Sequence, residues 1–206
     1  MAQPTNTFDT YDSVGEREDL SDVIYSISPT DTPFLSSAAK TKATAVLHEW
    51  QTDALASAVT TNAVIEGDEA TLDASTATTR LSNSCQIMDK TVVITGTQES
   101  VDKAGRASEL AYQIAKKAKE LKRDMEANLT GSIAEVTGSA TAARKMGTLG
   151  AWVITNDDKA SDGTTGAGIG NTKRTDGTAR AFTEASLKTV IKSVWNAGGD
   201  PSMIMV

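Results

Sequence analysis

The sequence predicts an α+β fold from three observations. Residues between 44 and 95 alternate in polarity as β-strands do, one long amphipathic helix lies between 107 and 129, and a second helix leads into an apolar strand at the end. The chain has 206 residues, of which 39% are hydrophobic, so it contains enough apolar material for a core. Aromatic residues make up 4%, which favours thin, extended layers over one deep core.

Residues 1–43 are predicted to form an extended N-terminal arm, interrupted by prolines and rich in acidic side chains. We expect a short helix around 19–27, then a turn and a hydrophobic anchor at Phe34 and Leu35. The apolar residues of the arm favour docking over a loose tail. The arm's candidates for contacts with other subunits are Asp19, Asp22 and Phe34.

Residues 44–96 are predicted to form an extended β-hairpin loop. Two alternating segments, 46–51 and 81–88, flank a small polar stretch, and the β-branched residues 91–95 predict a buried strand. An isolated two-stranded ribbon is marginally stable in water, so we expect a neighbouring subunit to cover it. The contact candidates in this loop are Trp50, Glu66, Asp68 and Glu69.

Residues 97–137 contain the clearest element, a helix over 107–129 that Gly131 terminates. Its apolar side chains recur every three or four residues, and we interpret this stripe as core. The stripe consists of Leu110, Ile114, Ala118, Leu121, Met125 and Leu129. Lys116, Lys119 and Arg123 lie on the opposite face of the helix and are the last contact candidates.

Residues 138–206 begin with a glycine-rich stretch that includes a candidate short strand over 152–155. Thr183 is predicted to cap a second amphipathic helix, which Gly198 and Gly199 end. The buried face of this helix is expected to contain Leu187, Val190, Ile191, Val194 and Trp195. An apolar strand over 203–206 follows without a partner strand, so this part is expected to be an incomplete domain.

We find no residues that predict catalysis, a metal site or a cofactor. The single histidine, His48, lies in a strand-like segment, and Cys85 is the single cysteine, so neither a nucleophilic triad nor a zinc site is indicated. The glycine-rich loop 163–170 superficially matches a phosphate-binding loop, but it lacks the lysine and the following helix that such a loop requires. It leaves one alternative, a soluble α/β domain that binds a phosphate ligand or acts as an enzyme.

Charge and hydropathy argue against two further classes, general nucleic-acid-binding proteins and membrane-spanning proteins. The formal net charge of -7 disfavours general binding to DNA or RNA, because the phosphate backbone attracts positive surfaces. No stretch of about 18 apolar residues predicts a membrane span, and the start of the sequence lacks the pattern of a secretory signal.

Three segments resemble the major capsid proteins of tailed phages with the Hong Kong 97-type fold. They are 19–34 in the arm, 102–126 in the position of the spine helix, and 181–187 followed by 198–206. The resemblance implies a fold with an N-terminal arm (1–43), an extended β loop (44–96), the spine helix of a peripheral domain (97–137) and a truncated axial domain (138–206).

The resemblance also implies a structural function without enzymatic activity or cofactors. Copies of the chain would assemble into hexamers and pentamers of an icosahedral head that encloses double-stranded DNA without sequence-specific binding. Scaffold, portal and decoration proteins are further candidate partners, and no membrane is involved. The expected location is the virion, after assembly in the cytoplasm of the bacterial host.

Overall fold

A computed structural model describes Thr7, Val14, residues 22–70 and residues 72–205. Along these residues the elements are α1 (Pro33–Ser37), β1 (Leu47–Thr52), β2 (Thr79–Ser84), α2 (Gly96–Ser100), α3 (Glu109–Thr130), α4 (Leu149–Trp152) and α5 (Glu184–Asn196). The mixture of helices and one antiparallel strand pair confirms the α+β class.

The chain forms two compact units. One contains the described residues of Met1–Thr30 together with Lys90–Glu120. The other contains those of Asp31–Asp89 and Leu121–Val206, so the long helix α3 contributes its first half to one unit and its second half to the other.

The predicted hairpin is present, with β1 and β2 antiparallel and Trp50 opposite Leu81. Its strands are short, and the residues between Thr52 and Thr79 form no further strand among those described. Trp50 and Leu81 are half-buried on one face of the ribbon, while Glu49 and Arg80 form an ion pair near its outer end. The alternation in the sequence therefore predicted both strands, whereas burial in β2 does not alternate, since Ser82 is half-buried and Ser84 is buried.

Two predicted strands are absent from the described residues. Residues 91–95 belong to no regular element, no strand pairs with them, and Val93 is 88% exposed. Residues 203–205 likewise form no strand and are exposed. Strand propensity does not complete a strand, because a strand also needs a partner, and the described residues supply none here.

Helix α3 matches its predicted position, but the interpretation of its stripe as core is wrong for the first half. Leu110 and Ile114 are 45% and 54% exposed. The covered side chains of this half include polar ones, because Glu109, Gln113 and Lys117 face residues 91–95 across a shared cavity. In the second half, the stripe residues Leu121, Met125 and Leu129 are half-buried.

Helix α5 begins as predicted, because the Thr183 hydroxyl accepts a hydrogen bond from the Ser186 amide. It ends at Asn196, and Gly198 follows with a φ of 86°, a conformation that glycine adopts without strain. Its predicted buried face is partly covered: Leu187, Val190 and Val194 are half-buried, whereas Ile191 and Trp195 are exposed.

Two other local predictions are wrong. Residues 152–155 are not a strand, because Trp152 completes the single turn of α4, which the Val153 amide closes on the Leu149 carbonyl at 3.0 Å. The short helix expected around 19–27 is not formed over 22–27, and residues 19–21 lie outside the described residues.

Candidate functional site

Most of the buried residues in the described part of the chain form a node of small residues around α4. Thr148, Ala151, Gly147, Gly150 and Gly170 are all buried there. A Cβ atom at Gly147 would lie 2.7 Å from the Gly170 carbonyl oxygen, so the backbones of two segments pack directly against each other. We call these five residues the glycine node.

The β-hairpin is attached to the glycine node at its base. The Asn83 side chain donates to the Gly147 carbonyl at 2.9 Å and accepts from the Gly147 amide at 2.8 Å. Trp152 also donates to the Gly147 carbonyl, at 3.1 Å, and its ring lies 5.1 Å from that of Trp50. One peptide group and two indole rings therefore join the ribbon to the node.

Two further polar contacts lie beside this attachment. The Ser84 hydroxyl donates to the Glu135 carboxylate at 2.6 Å, and the Met146 amide donates to the Gln86 side chain at 3.2 Å. Side chains at the end of β2 and just after it therefore bind groups in the segment between α3 and α4. Such bonds are directional, so they fix orientation as well as position.

The arm is attached through a glutamate that the sequence reasoning missed. Both oxygens of the Glu126 carboxylate accept hydrogen bonds at the start of α1, from the amides of Phe34 at 2.8 Å and Leu35 at 2.7 Å. Thr32, the residue before α1, makes no side-chain cap, so Glu126 supplies the cap from α3. Phe34 is half-buried, consistent with an anchor at this point.

A second glutamate, Glu99 in α2, binds the start of α3. Glu99 accepts from the amides of Glu109 at 3.0 Å and Leu110 at 3.1 Å. Hydrogen bonds from Ser108 and from the Leu110 amide lower the pKa of the Glu99 carboxyl, so it stays ionised opposite the positive helix end. Glu109 itself is buried, and hydrogen bonds from Gln113 and Arg106 lower its pKa in the same way.

The predicted contact candidates lie in separate places. Trp50 and Phe34 are half-buried in the attachments described above, and Glu66, Asp68 and Glu69 are exposed around a turn at Gly67. Lys116, Lys119 and Arg123 are exposed on α3, and within the described ranges none of them forms an ion pair. Asp22 accepts from the Gly105 amide at 3.2 Å, and Asp19 lies outside the described residues.

The geometry does not favour a phosphate site in the loop 163–170. Four of its amides, those of Gly163, Thr164, Ala167 and Gly168, donate to carbonyl groups of the chain itself. No helix opens directly after the loop, since α5 begins at Glu184. Among the residues that the structure describes, no group of three metal-binding side chains is found, and no helix is long and apolar enough to span a bilayer.

Substituting Glu126 with glutamine should loosen the arm, because the charge at the start of α1 and one of two equivalent acceptors are lost. We expect the segment around Phe34 to exchange amide hydrogens roughly 5- to 30-fold faster, as removal of a charged hydrogen bond implies. Hydrogen exchange with mass spectrometry measures this. Glu120→Gln is a suitable control on the same helix, since Glu120 pairs with Lys117. Equal protection of the Phe34 segment in both variants would contradict the anchoring role.

Exposed apolar residues occur in both units of the structure, while among the described residues Ala151 is the one fully buried hydrophobic. Exposed apolar side chains in this number are typical of a protein that associates with others. Together with the attachments of the arm and the hairpin, they are the features of a subunit of a larger assembly.

The comparison with known proteins identifies which structural subunit it is. The chain belongs to the SU10 major capsid protein family, whose model matches residues 3–206. It is also similar to the major capsid protein of Escherichia phage Phieco32, with 32% identity over 238 residues that cover 100% of this chain and 67% of the relative.

The protein is thus a tailed-phage major capsid protein, a structural component of the virion that associates with copies of itself. This membership confirms the family that the resemblance indicated and the prediction that the chain is not an enzyme.

Proposed function

We propose that the chain closes into an icosahedral head of hexamers and pentamers with the Hong Kong 97-type fold, enclosing double-stranded DNA. The observation that carries this proposal is the set of exposed apolar side chains. Among the described residues, Val93, Ile114 and Trp195 are 88%, 54% and 65% exposed. Side chains of this kind are available for burial against neighbouring subunits.

The open half of the α3 stripe supports the same proposal. Leu110 and Ile114 form an exposed apolar row on a helix, a surface that becomes stable when another chain covers it. Residues 91–95 and 203–205 pair with no strand of the described chain, so a neighbouring strand could bind their backbone groups. Many modest contacts of this kind add up to a stable shell.

Within this proposal, the four parts are an arm (1–43), a hairpin loop (44–96), the spine helix (97–137) and an axial domain (138–206). The arm and the hairpin tip contribute intersubunit contacts. The proposed contact residues are Asp19, Asp22, Phe34, Trp50, Glu66, Asp68, Glu69, Lys116, Lys119 and Arg123. Scaffold, portal and decoration proteins, and assembly in the host cytoplasm, belong to the same proposal.

Assembly of the purified full-length chain tests the proposal. We expect rings or closed shells in electron micrographs and a large, concentration-dependent sedimentation coefficient. Exposed charges such as Glu66 and Lys116 should make the yield depend on salt between about 0.05 and 0.5 M, because surface ion pairs are screened over this range. A monomer that stays compact at all concentrations and salt levels would contradict the proposal.

A further inference from the structure

The bond between Asn83 and Gly147 has a geometry that fixes direction. A side-chain amide and a peptide group form a closed pair, in which each partner donates once and accepts once. The orientation of the Gly147 peptide group determines which way the Asn83 side-chain amide is turned. The Gly147 amide binds the Asn83 oxygen, and the Gly147 carbonyl binds the Asn83 nitrogen. A bidentate pair restricts rotation more than a single hydrogen bond does.

The glycine node holds the other partner in place. Gly147 is buried, and its close approach to Gly170 leaves no space for a side chain. The Trp152 indole donates to the same carbonyl and contacts Trp50, so a second, apolar contact supports the hydrogen-bonded pair. The base of the hairpin is therefore held to the glycine node at Asn83, with the contacts of Ser84 and Gln86 beside it.

Small rotations at this point change where the ribbon ends. The strand residues from Asn83 to Thr79 span roughly 13 Å. A rotation of about 10° at the base would move the far end of the ribbon by roughly 2 Å and would turn the direction in which the chain leaves it. An error of that size separates groups that must meet within hydrogen-bonding distance.

We propose that Asn83 is a positioning residue, which sets the direction of the hairpin through Gly147 and thereby the angle at which neighbouring subunits join. This inference rests on the proposed function, because it assigns the hairpin tip to an intersubunit contact. In this role Asn83 does not contact a neighbouring subunit itself and acts only by orienting the hairpin.

Distance measurements within one chain test the proposal independently of assembly. Spin labels are placed on cysteines at Asp68 and Lys173, both exposed, in a Cys85→Ser background, and labelled chains are diluted into unlabelled ones. Asn83→Leu removes both hydrogen bonds and should raise the population of misdirected hairpins roughly 10- to 100-fold. The distance distribution should broaden accordingly, while Asn62→Leu, at an exposed position beyond the strands, should leave it unchanged.

The assembled product gives the second measurement. Asn83→Leu should still fold, with a melting temperature lower by roughly 2–8 °C because the buried Gly147 amide loses its acceptor, and should assemble into shells of more variable diameter. Asn83→Asp, which keeps the acceptor alone, should be intermediate. If wild-type chains fail to assemble, the proposed function fails while the distance test still decides the role of Asn83. An unchanged distance distribution in both variants would overturn the inference. So would unfolding of both variants, which would assign Asn83 to stability instead.

Discussion

Replacing Thr148 with valine should lower the free energy of unfolding of the subunit by about 1–3 kcal/mol. Thr148 is 2% exposed, and its hydroxyl donates to the Gly131 carbonyl at 2.8 Å and accepts from the Ile133 amide at 2.8 Å. Valine fills nearly the same volume but bonds to neither group. The Ile133 amide then loses this acceptor, whereas the Gly131 carbonyl still accepts from the Gly150 amide at 3.0 Å. Loss of a partner costs more than the bond contributes, because the group has already been removed from water.

Denaturation in guanidinium chloride, followed by tryptophan fluorescence on dissociated subunits, measures this change. Thr148→Ser keeps the hydroxyl and should recover most of the stability. Thr60→Val makes the same substitution at an exposed position and should change stability by less than about 0.5 kcal/mol. Equal midpoints for Thr148→Val and Thr60→Val would show that the hydroxyl does not bridge the segment after α3 to α4.

Gly147→Ala should destabilise the subunit by about 2–4 kcal/mol. The new methyl group would lie 2.7 Å from the Gly170 carbonyl oxygen and 2.8 Å from its Cα atom. Both are backbone atoms of a buried residue, so two segments must separate to relieve the clash. That separation would also weaken the bonds from Asn83 and Trp152 to the Gly147 peptide group.

The melting temperature and the soluble yield of Gly147→Ala report this effect. Gly96→Ala is the matched control, because a Cβ atom at the first residue of α2 would have nothing within 4 Å. Alanine there should be neutral or should stabilise by up to about 1 kcal/mol, since it reduces the entropy of the unfolded chain. Similar melting temperatures for the two variants would mean that the glycine node tolerates a side chain.

The elements predicted best are those whose signals are local. Helix α3 follows from the spacing of its apolar residues and from Gly131 at its end, and helix α5 follows from Thr183 and Gly198. The strands of the hairpin follow from alternation around Trp50 and Leu81. Each of these patterns is formed by residues that lie close together in the sequence, so it can be recognised without knowing how the rest of the chain folds.

The residues of the attachments could not be predicted, because their partners are far away in the sequence. Asn83 lies on the inward face of a strand, a polar exception that could have raised suspicion, but Gly147 is 64 residues away. In the sequence Glu126 is indistinguishable from other helix glutamates, and the amide of Phe34 that it binds is 92 residues earlier. Nothing in the local pattern selects these partners from the other polar groups of the chain.

The sequence by itself determined the α+β class, the positions of the hairpin strands and of α3 and α5, and the resemblance to tailed-phage capsid proteins. Tertiary structure alone decided which face of α3 is covered, because hydrophobic periodicity marks an apolar face without specifying what packs against it. It also decided that residues 91–95 and 203–205 remain unpaired, since a strand is completed by a partner and not by its own composition. The joining of the hairpin and the arm to the rest of the subunit was decided in the same way, through the Gly147 peptide group and the Glu126 carboxylate, because hydrogen bonds between distant residues form only after the chain has folded.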